Sequence, residues 1–549
     1  MLHIGRRYLS SLGSVVSDRY FSSFCIITWT RCNVRSVYAF LTSGQFRGRC
    51  CDPFTHCKDV FRTIDVLANR NTIRLHFYLF LRGAYYAFFH PLAKVPGPKL
   101  YGASSLPYYV HLFRGDWHQT LKEMHDRYGP VVRFAPTDVS FITASALRQI
   151  YGHKSSLDET FVKDPPFYRR GHKDPTIVNA NHEDHKRFRR LLSHAFSEKA
   201  LRSQEGILTL YTDKFINQLT QKAHDGAAID IVSWYNFATF DLIGDLSFGE
   251  PFGCLDSGGY HPWVRLVFQH VKAIPYRQIA QYLNMGSLIP YLTPKHLIEA
   301  SKQHLELSRE TAMKRVASTT DRADFISYIL RHNDEKGMSD GEIAINSHML
   351  ILAGSETTAT LLSGVTFQLL MNKAKLDKLA SEIRSSFDAE DDITLERVNQ
   401  LGYLLAVLNE GLRIYPPVPT GLPRLVPSGG QIMDRFWIPE KTRVSVPHWA
   451  AFHSESNFRD ADNFVPERWL GDIRYSNDSK DVLQPFSAGP RNCIGKNLAY
   501  AEMRLILARL LWKFDLELLQ ESKVWDEQKT FLLWEKGALL VRLTEVIRD

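Results

Sequence analysis

Phe486-Ser-Ala-Gly489-Pro-Arg491-Asn-Cys493-Ile-Gly495-Lys-Asn-Leu-Ala499 sets one cysteine between two glycines, with an arginine two residues before it. The stretch suits a thiolate. An ionised sulfur in apolar surroundings is costly unless a metal, a nearby cation or a helix amino terminus stabilises it. Gly489 and Gly495 permit a tight turn and a close approach to a flat ligand. From Lys496 onward, Leu498, Ala499, Met503, Leu505, Ile506 and Leu510 recur at helical spacing, so Cys493 just precedes an apolar-faced helix. The first N–H groups of that helix point toward the sulfur. Two plainer readings compete: a small buried hydrophobe, and a phosphate loop. The second fails on spacing, because five residues separate the glycines and Asn497, not Ser or Thr, follows Lys496.

The chain around this stretch has 549 residues, 44% of them hydrophobic and 12% aromatic, enough for a large core and a sizeable pocket. Its net charge of +8 is spread thinly, with no basic run of the nucleic-acid type. Of seven cysteines, Cys25, Cys32, Cys50, Cys51 and Cys57 lie near the start, leaving only Cys254 and Cys493 in the body. That distribution fits a reducing, cytosol-facing body and no disulfide framework.

Three segments follow from composition. Residues 1–70 are rich in Arg and Ser and poor in acids, which suits a mitochondrial transit peptide or an extension of no fixed role. Residues 71–98 hold the apolar run Leu75 to Phe89, too short for a full span but suited to a membrane interface, and then a proline-rich connector from Pro91 to Pro98. Residues 99–549 form the globular body. Within it, Trp117 to Tyr128 reads as a helix and Val131 to Phe134 with Ser140 to Thr143 as two strands. The stretch from Lys154 to Asn181 is a long aromatic connection.

Three further patterns carry chemistry. His185 and Arg189 stand at i, i+4 on a helix beginning near His182, a basic face that solvation alone would also explain. Ala353-Gly354-Ser355-Glu356-Thr357-Thr358 interrupts a long apolar helix from Ser339 to about Leu370 with residues of low propensity; the plain alternative is a kinked core helix. Glu410 and Arg413, at i, i+3 among apolar neighbours, need further partners if buried, and Pro466-Glu-Arg468-Trp469 supplies one.

The cysteine loop, read as Phe-x-x-Gly-x-Arg-x-Cys-x-Gly, resembles the haem-binding loop of the cytochrome P450 family, and the other patterns occur in that family's order. The resemblance implies a mostly α fold, a helical prism with small β-sheets, holding haem b with Cys493 as axial iron ligand. It implies Phe486, Gly489, Arg491 and Gly495 in the haem loop, and His185, Arg189 and Arg424 at the propionates. Glu356 and Thr357 become the proton-delivering pair, with Gly354 opening space over the iron. Glu410, Arg413 and Arg468 become a structural triad. Ala461 and Lys441 depart from the family, which has proline and glycine there. The implied function is monooxygenation of an apolar small molecule, a fungal secondary-metabolite intermediate such as a terpenoid, polyketide or alkaloid. No dinucleotide fingerprint is present, so electrons come from NADPH-cytochrome P450 reductase, docking on Lys186, Arg187, Arg190 and Lys496. The implied location is the endoplasmic reticulum membrane, facing the cytosol. A haem-thiolate isomerase or dehydratase, and a non-enzymatic haem protein, stand as alternatives.

Overall fold

Ser339 starts the longest helix by accepting from the Glu342 N–H while the Glu342 carboxylate takes the Ser339 N–H, a reciprocal cap. The helix then runs unbroken from Asp340 to Met371 in the computed structural model, which describes residues 72–547 except 157–158, 169–172, 267–272, 319, 321 and 335–336. The interruption expected at Ala353 to Thr358 is therefore absent. Ser355 and Thr357 turn their hydroxyls back to the Ile351 and Ala353 carbonyls, each at 2.6 Å, which satisfies the polar groups without breaking the ladder. Packing does the rest, since the helix is buried through most of its length.

The described chain falls into two units, 1–80 and 81–549. Residues 72–80 are helical and exposed at every position, Ile73, Leu75, Phe77 and Phe80 included. The transit-peptide expectation for residues 1–70 lies outside the described residues. In the second unit, Pro91–Lys94 is a short 3-10 turn, where a fully extended connector was expected. Pro91 stands at its first position, where a missing N–H costs nothing.

The body is a helical assembly with small sheets. In chain order its main helices are α1 (Trp117–Tyr128), α2 (Ala144–Tyr151), α3 (His182–Ala195), α4 (Glu198–His224), α5 (Ile231–Phe248), α6 (Ile274–Tyr282), α7 (Lys295–Val316), α8 (Phe325–Arg331), α9 (Asp340–Met371), α10 (Lys373–Ser386), α11 (Gly402–Ile414) and α12 (Lys496–Lys513). Helix α5 is buried at nearly every position, so it has no polar face and belongs in the centre, packed along α9. Among the described residues α9 is the one helix long and apolar enough to cross a membrane, and it forms the core. Helix α12 packs on α4, α9, α10 and α11.

The largest sheet has strand order β1-β2-β8-β5-β3, with β1 Val131–Ala135, β2 Asp138–Phe141, β3 Val162–Lys163, β5 Arg424–Leu425 and β8 Arg443–Ser445. Val132 pairs Ser140 antiparallel, and Val139 pairs Val444 parallel. Strand β2 begins two residues before the expected Ser140 and ends before Thr143, because the Thr143 hydroxyl accepts from Ala146 N–H and caps α2. A second sheet, β4-β12-β9, joins Ile229–Asp230 (β4), Leu540–Glu545 (β12) and Phe514–Leu518 (β9). Two hairpins complete the strands: β6 (Gln431–Met433) with β7 (Phe436–Ile438), and β10 (Lys529–Phe531) with β11 (Leu533–Glu535). Lys441 adopts φ +60, so this chain tolerates a side chain where the left-handed turn favours glycine.

One core residue gives the fold a pH dependence. Glu502, on α12, is 4% exposed, and burial pushes its carboxyl up to about 8, partly offset by Thr358 on α9. The unfolded chain releases this proton near the ordinary glutamate value, so folding binds a proton between about pH 4.5 and 8. The contribution of Glu502 to stability therefore declines as pH rises through that window and levels off above it, while buried histidines such as His118 and His448, lowered to about 4, contribute the opposite slope below about pH 6.5. Glu502→Gln should flatten the decline and raise stability at pH 7 by about 1–3 kcal/mol, read from denaturant midpoints at several pH values. An unchanged slope would show that another group carries it.

Candidate functional site

The loop that opens this site is fixed from both ends. Cys493 N–H donates to the Phe486 carbonyl at 2.8 Å, closing the loop on itself. Gly489 takes φ +68, and a Cβ there would stand 2.1 Å from the Tyr151 carbonyl oxygen at the end of α2. Only glycine satisfies both conditions. Gly495 is different: its φ is −86, and a Cβ would meet only Phe196 at 3.7 Å. Phe486 stacks obliquely on Tyr500 at 5.4 Å, with the Lys496 ammonium 5.9 Å from its ring.

Two arginines anchor the loop to α3. Arg491 donates to the carbonyls of Ala180 and Asn181 at 2.9 Å each, where Asn181 caps α3. In return Arg189 donates to the backbone and side-chain oxygens of Asn492, both at 2.7 Å. Cys493 thus sits beside a guanidinium and before the first turn of α12. Its residue is exposed on the wall of a cleft of about 250 Å³, yet the surrounding protein still pushes its thiol up; Gly495 N–H, Arg189 and Lys496 pull the other way. A metal bound at the sulfur would tip that balance to thiolate.

The cleft shares Arg189 and Asn492 with a cavity of about 1240 Å³. His185, Arg189, Arg424, Gly489 and Arg491 line that cavity together, as the sequence led us to expect. Lys163 joins them unforeseen, and no local pattern marks it: it lies in β3, donates to the Val178 carbonyl and faces the Tyr168 ring. Arg424 donates to the Tyr168 hydroxyl at 2.6 Å. None of these four cations, Lys163, Arg189, Arg424 and Arg491, pairs with a carboxylate among the described residues. The strain shows in their protonation. Burial, then Arg424, brings Arg491 down to about 10; burial, then Arg424 and Arg491, lowers Lys163 well below its ordinary value. Burial with Arg491, Lys163 and Arg189 holds His185 down to about 3, so it is a neutral imidazole able to donate one N–H. Such a cluster fits a dianionic, flat-bodied group whose carboxylates would take these donors, and haem answers that description.

Helix α9 presents its own opening. Ala353 is exposed and Thr357 half-buried, one turn apart, while Ser355, Glu356 and Thr358 are buried. Gly354 does not open that face: a Cβ there would meet Ile243 Cδ1 of α5 at 2.7 Å, so it serves the α5–α9 contact. Glu356 and Thr357 are not joined by a hydrogen bond; Glu356 is held by Lys536 and Thr360, and Thr357 by Ala353.

The expected triad is fully assembled and unexposed. Arg413 Nη2 and Nε reach the two Glu410 oxygens at 2.8 and 3.1 Å, and Arg468 Nε reaches Glu410 at 3.1 Å. Val465 N–H and Trp469 Nε1 add bonds of 2.8 and 2.9 Å. The remaining Arg413 donors take the Phe452, Ala461 and Asn463 carbonyls, and Arg468 also pairs with Asp478. Ala461 thus offers its carbonyl to the network.

Of the four cations expected on a docking face, two are already neutralised. Arg187 is bound by Asp184 and by both oxygens of Glu342, and Arg190 by Asp334 at 3.0 Å. Lys186 and Lys496 remain exposed.

A cysteine loop backed by a helix, an uncompensated cation cluster and a buried Glu-Arg-Arg network together define a haem-thiolate protein. The profile of the family described as Cytochrome P450 matches residues 100–542, and the chain belongs to that family. Cytochrome P450 monooxygenase astA of Talaromyces wortmannii is 47% identical over 462 residues, covering 84% of this chain and 93% of the relative. Cytochrome P450 monooxygenase lcsI of Purpureocillium lilacinum is 45% identical over 480 residues, covering 86% and 93%. A trichothecene C-4 hydroxylase of Trichoderma arundinaceum is 44% identical over 475 residues, covering 84% and 94%. The chain is accordingly an oxidoreductase, a haem-dependent monooxygenase.

The triad predicts a large effect from a small change. Glu410→Gln keeps the shape but leaves the buried Arg413 guanidinium without a counter-charge and Arg468 with Asp478 alone, which should cost about 3–5 kcal/mol. A lowered Tm with loss of haem on gel filtration is the expected result; wild-type values for both would show the network to be dispensable.

Proposed function

We propose that this monooxygenase inserts one atom of O2 into an apolar small molecule, a fungal secondary-metabolite intermediate of the terpenoid, polyketide or alkaloid kind. The observation that carries the reading is the conjunction of the Cys493 loop with unpaired cations around one cavity. Cys493 would ligate the iron of haem b as thiolate, while His185, Arg189, Arg424 and Arg491, with Lys163, would hold the propionates. When bound, the haem supplies the oxygen-activating chemistry, which thiolate ligation favours. The chain's own residues then exclude water, place the substrate and deliver protons. The aromatic connection supports placement: Tyr282 of α6 donates to Asp164 at 2.9 Å, which brings the segment carrying Phe167 and Tyr168 under α6. Thr357, on the open face of α9, is suited to hydrogen-bond a reacting oxygen, and Glu356 beside it in sequence to supply the proton.

Electrons would come from NADPH-cytochrome P450 reductase. Lys186 and Lys496, exposed and without a carboxylate partner among the described residues, are the cations that such an acidic partner would meet, whereas Arg187 is tied to Glu342 and Arg190 to Asp334. The exposed apolar residues of 72–80 suit insertion in the cytosolic face of the endoplasmic reticulum membrane. Residues 1–70 would then be an extension outside the catalytic body, which begins near residue 99.

Cys493→Ser should abolish the carbon monoxide difference band of the reduced protein, and a normal band would overturn the thiolate assignment. Thr357→Ala should keep that band and bind substrate, yet lose product formation about tenfold or more while hydrogen peroxide per NADPH rises. Product and peroxide measured side by side decide the matter, since unchanged coupling would remove Thr357 from the chemistry.

A further inference from the structure

Helix α9 meets an unexpected partner at Glu356 and Thr360. Lys536, in the turn between β11 and β12, is 4% exposed at its side chain and donates to Glu356 Oε1. The same ammonium donates to the Thr360 hydroxyl at 2.7 Å, and Thr360 in turn donates to Glu356 Oε1 at 3.4 Å. The second carboxylate oxygen, Glu356 Oε2, is buried and takes no hydrogen bond among the described residues. Both side chains line a cavity of about 330 Å³ whose other polar walls are Asp230, Ser233, Asn236, Tyr260 and Glu535. At about 30 Å³ per molecule, it has room for on the order of ten waters.

A pair that only tied the hairpin to the helix would have no use for an orphaned oxygen beside a polar cavity, and buried ion pairs are poor sources of stability. We propose that Lys536 is the inlet through which protons reach Glu356, drawn from water in this cavity. The proposal rests on the monooxygenase reading, in which RH + O2 + 2 electrons + 2 protons give ROH + H2O, the electrons coming from a flavoprotein reductase. In each transfer an N–H bond of the Lys536 ammonium breaks and an O–H bond forms on Glu356. Glu356 passes that proton toward Thr357, and cavity water reprotonates the Lys536 amine. Charge and atoms balance, with one proton drawn from solvent per pass. Lysine suits the task because its ammonium can give up a proton, whereas a guanidinium stays charged. Lys536 is a positioning residue that acts through Glu356.

Lys536→Arg separates this role from a structural one, because it keeps the cation and the ion pair but cannot release a proton. The expected result is a normal carbon monoxide band, a wild-type melting temperature, a several-fold rise in peroxide per NADPH and a larger D2O isotope effect on product formation. Lys536→Arg with wild-type coupling and isotope effect overturns the proposal. Should arginine fail to fold in this space, the double variant Glu356→Gln with Lys536→Met removes both charges together. It should be no more uncoupled than Glu356→Gln alone, and additive uncoupling would show that Lys536 does not act through Glu356. If Glu356→Gln and Thr357→Ala both stay coupled, the relay itself fails, an outcome distinct from failure of Lys536 alone.

Discussion

Glu410 holds in place the part of the chain on which everything else depends. Its two oxygens take bonds from Arg413, Arg468, Trp469 and the Val465 N–H in surroundings with no solvent to substitute for any of them. Arg413 spends its other donors on three backbone carbonyls between Phe452 and Asn463, so a meander with little regular structure acquires a fixed path. The cysteine loop follows that meander. A sulfur that must meet a metal at one distance cannot hang on a loose loop, and here the loop is held upstream by Glu410 and sideways by the exchange between α3 and residues 491–492.

Much of this was legible because it is local. Cys493 with its glycines, the i, i+4 pair His185 and Arg189, and the i, i+3 pair Glu410 and Arg413 lie within one or two turns of each other, and periodicity alone places the helix after the loop. The glycine readings show where locality fails. Gly489 is required, but by the Tyr151 carbonyl, and Gly354 by Ile243 of α5; neither neighbour is near in sequence. The mid-helix break was misread for a related reason. Gly, Ser and Thr lower the propensity of an isolated helix, yet burial against α5 and back-bonding to the preceding turn outweigh a cost of about 1 kcal/mol for Gly and about half that for each Ser or Thr.

Charge is the property the sequence conceals most. Arg187 and Arg189 are two residues apart on α3 and look equivalent. Arg187 meets the Glu342 carboxylate, the same one that caps α9, and is spent on holding two helices together. Arg189 faces the loop, meets only the oxygens of Asn492 and keeps its charge available. Which cation is compensated depends on acids roughly 150 residues away along the chain, a relation no local pattern records.

The same sorting applied to carboxylates separates the acids of the core by use. Glu410 is surrounded by donors on both oxygens, so its role is to hold position. Glu502 has Thr358 as its hydrogen-bonding partner and no cation, and burial keeps it protonated. Glu356 lies between these extremes, with a cation on one oxygen and, among the described residues, nothing on the other. A carboxylate saturated with donors has no acceptor site left for a proton, and one held neutral has no charge to attract it. Of the three, Glu356 alone combines a charge-stabilising partner with a free oxygen, the combination that exchange of a proton requires.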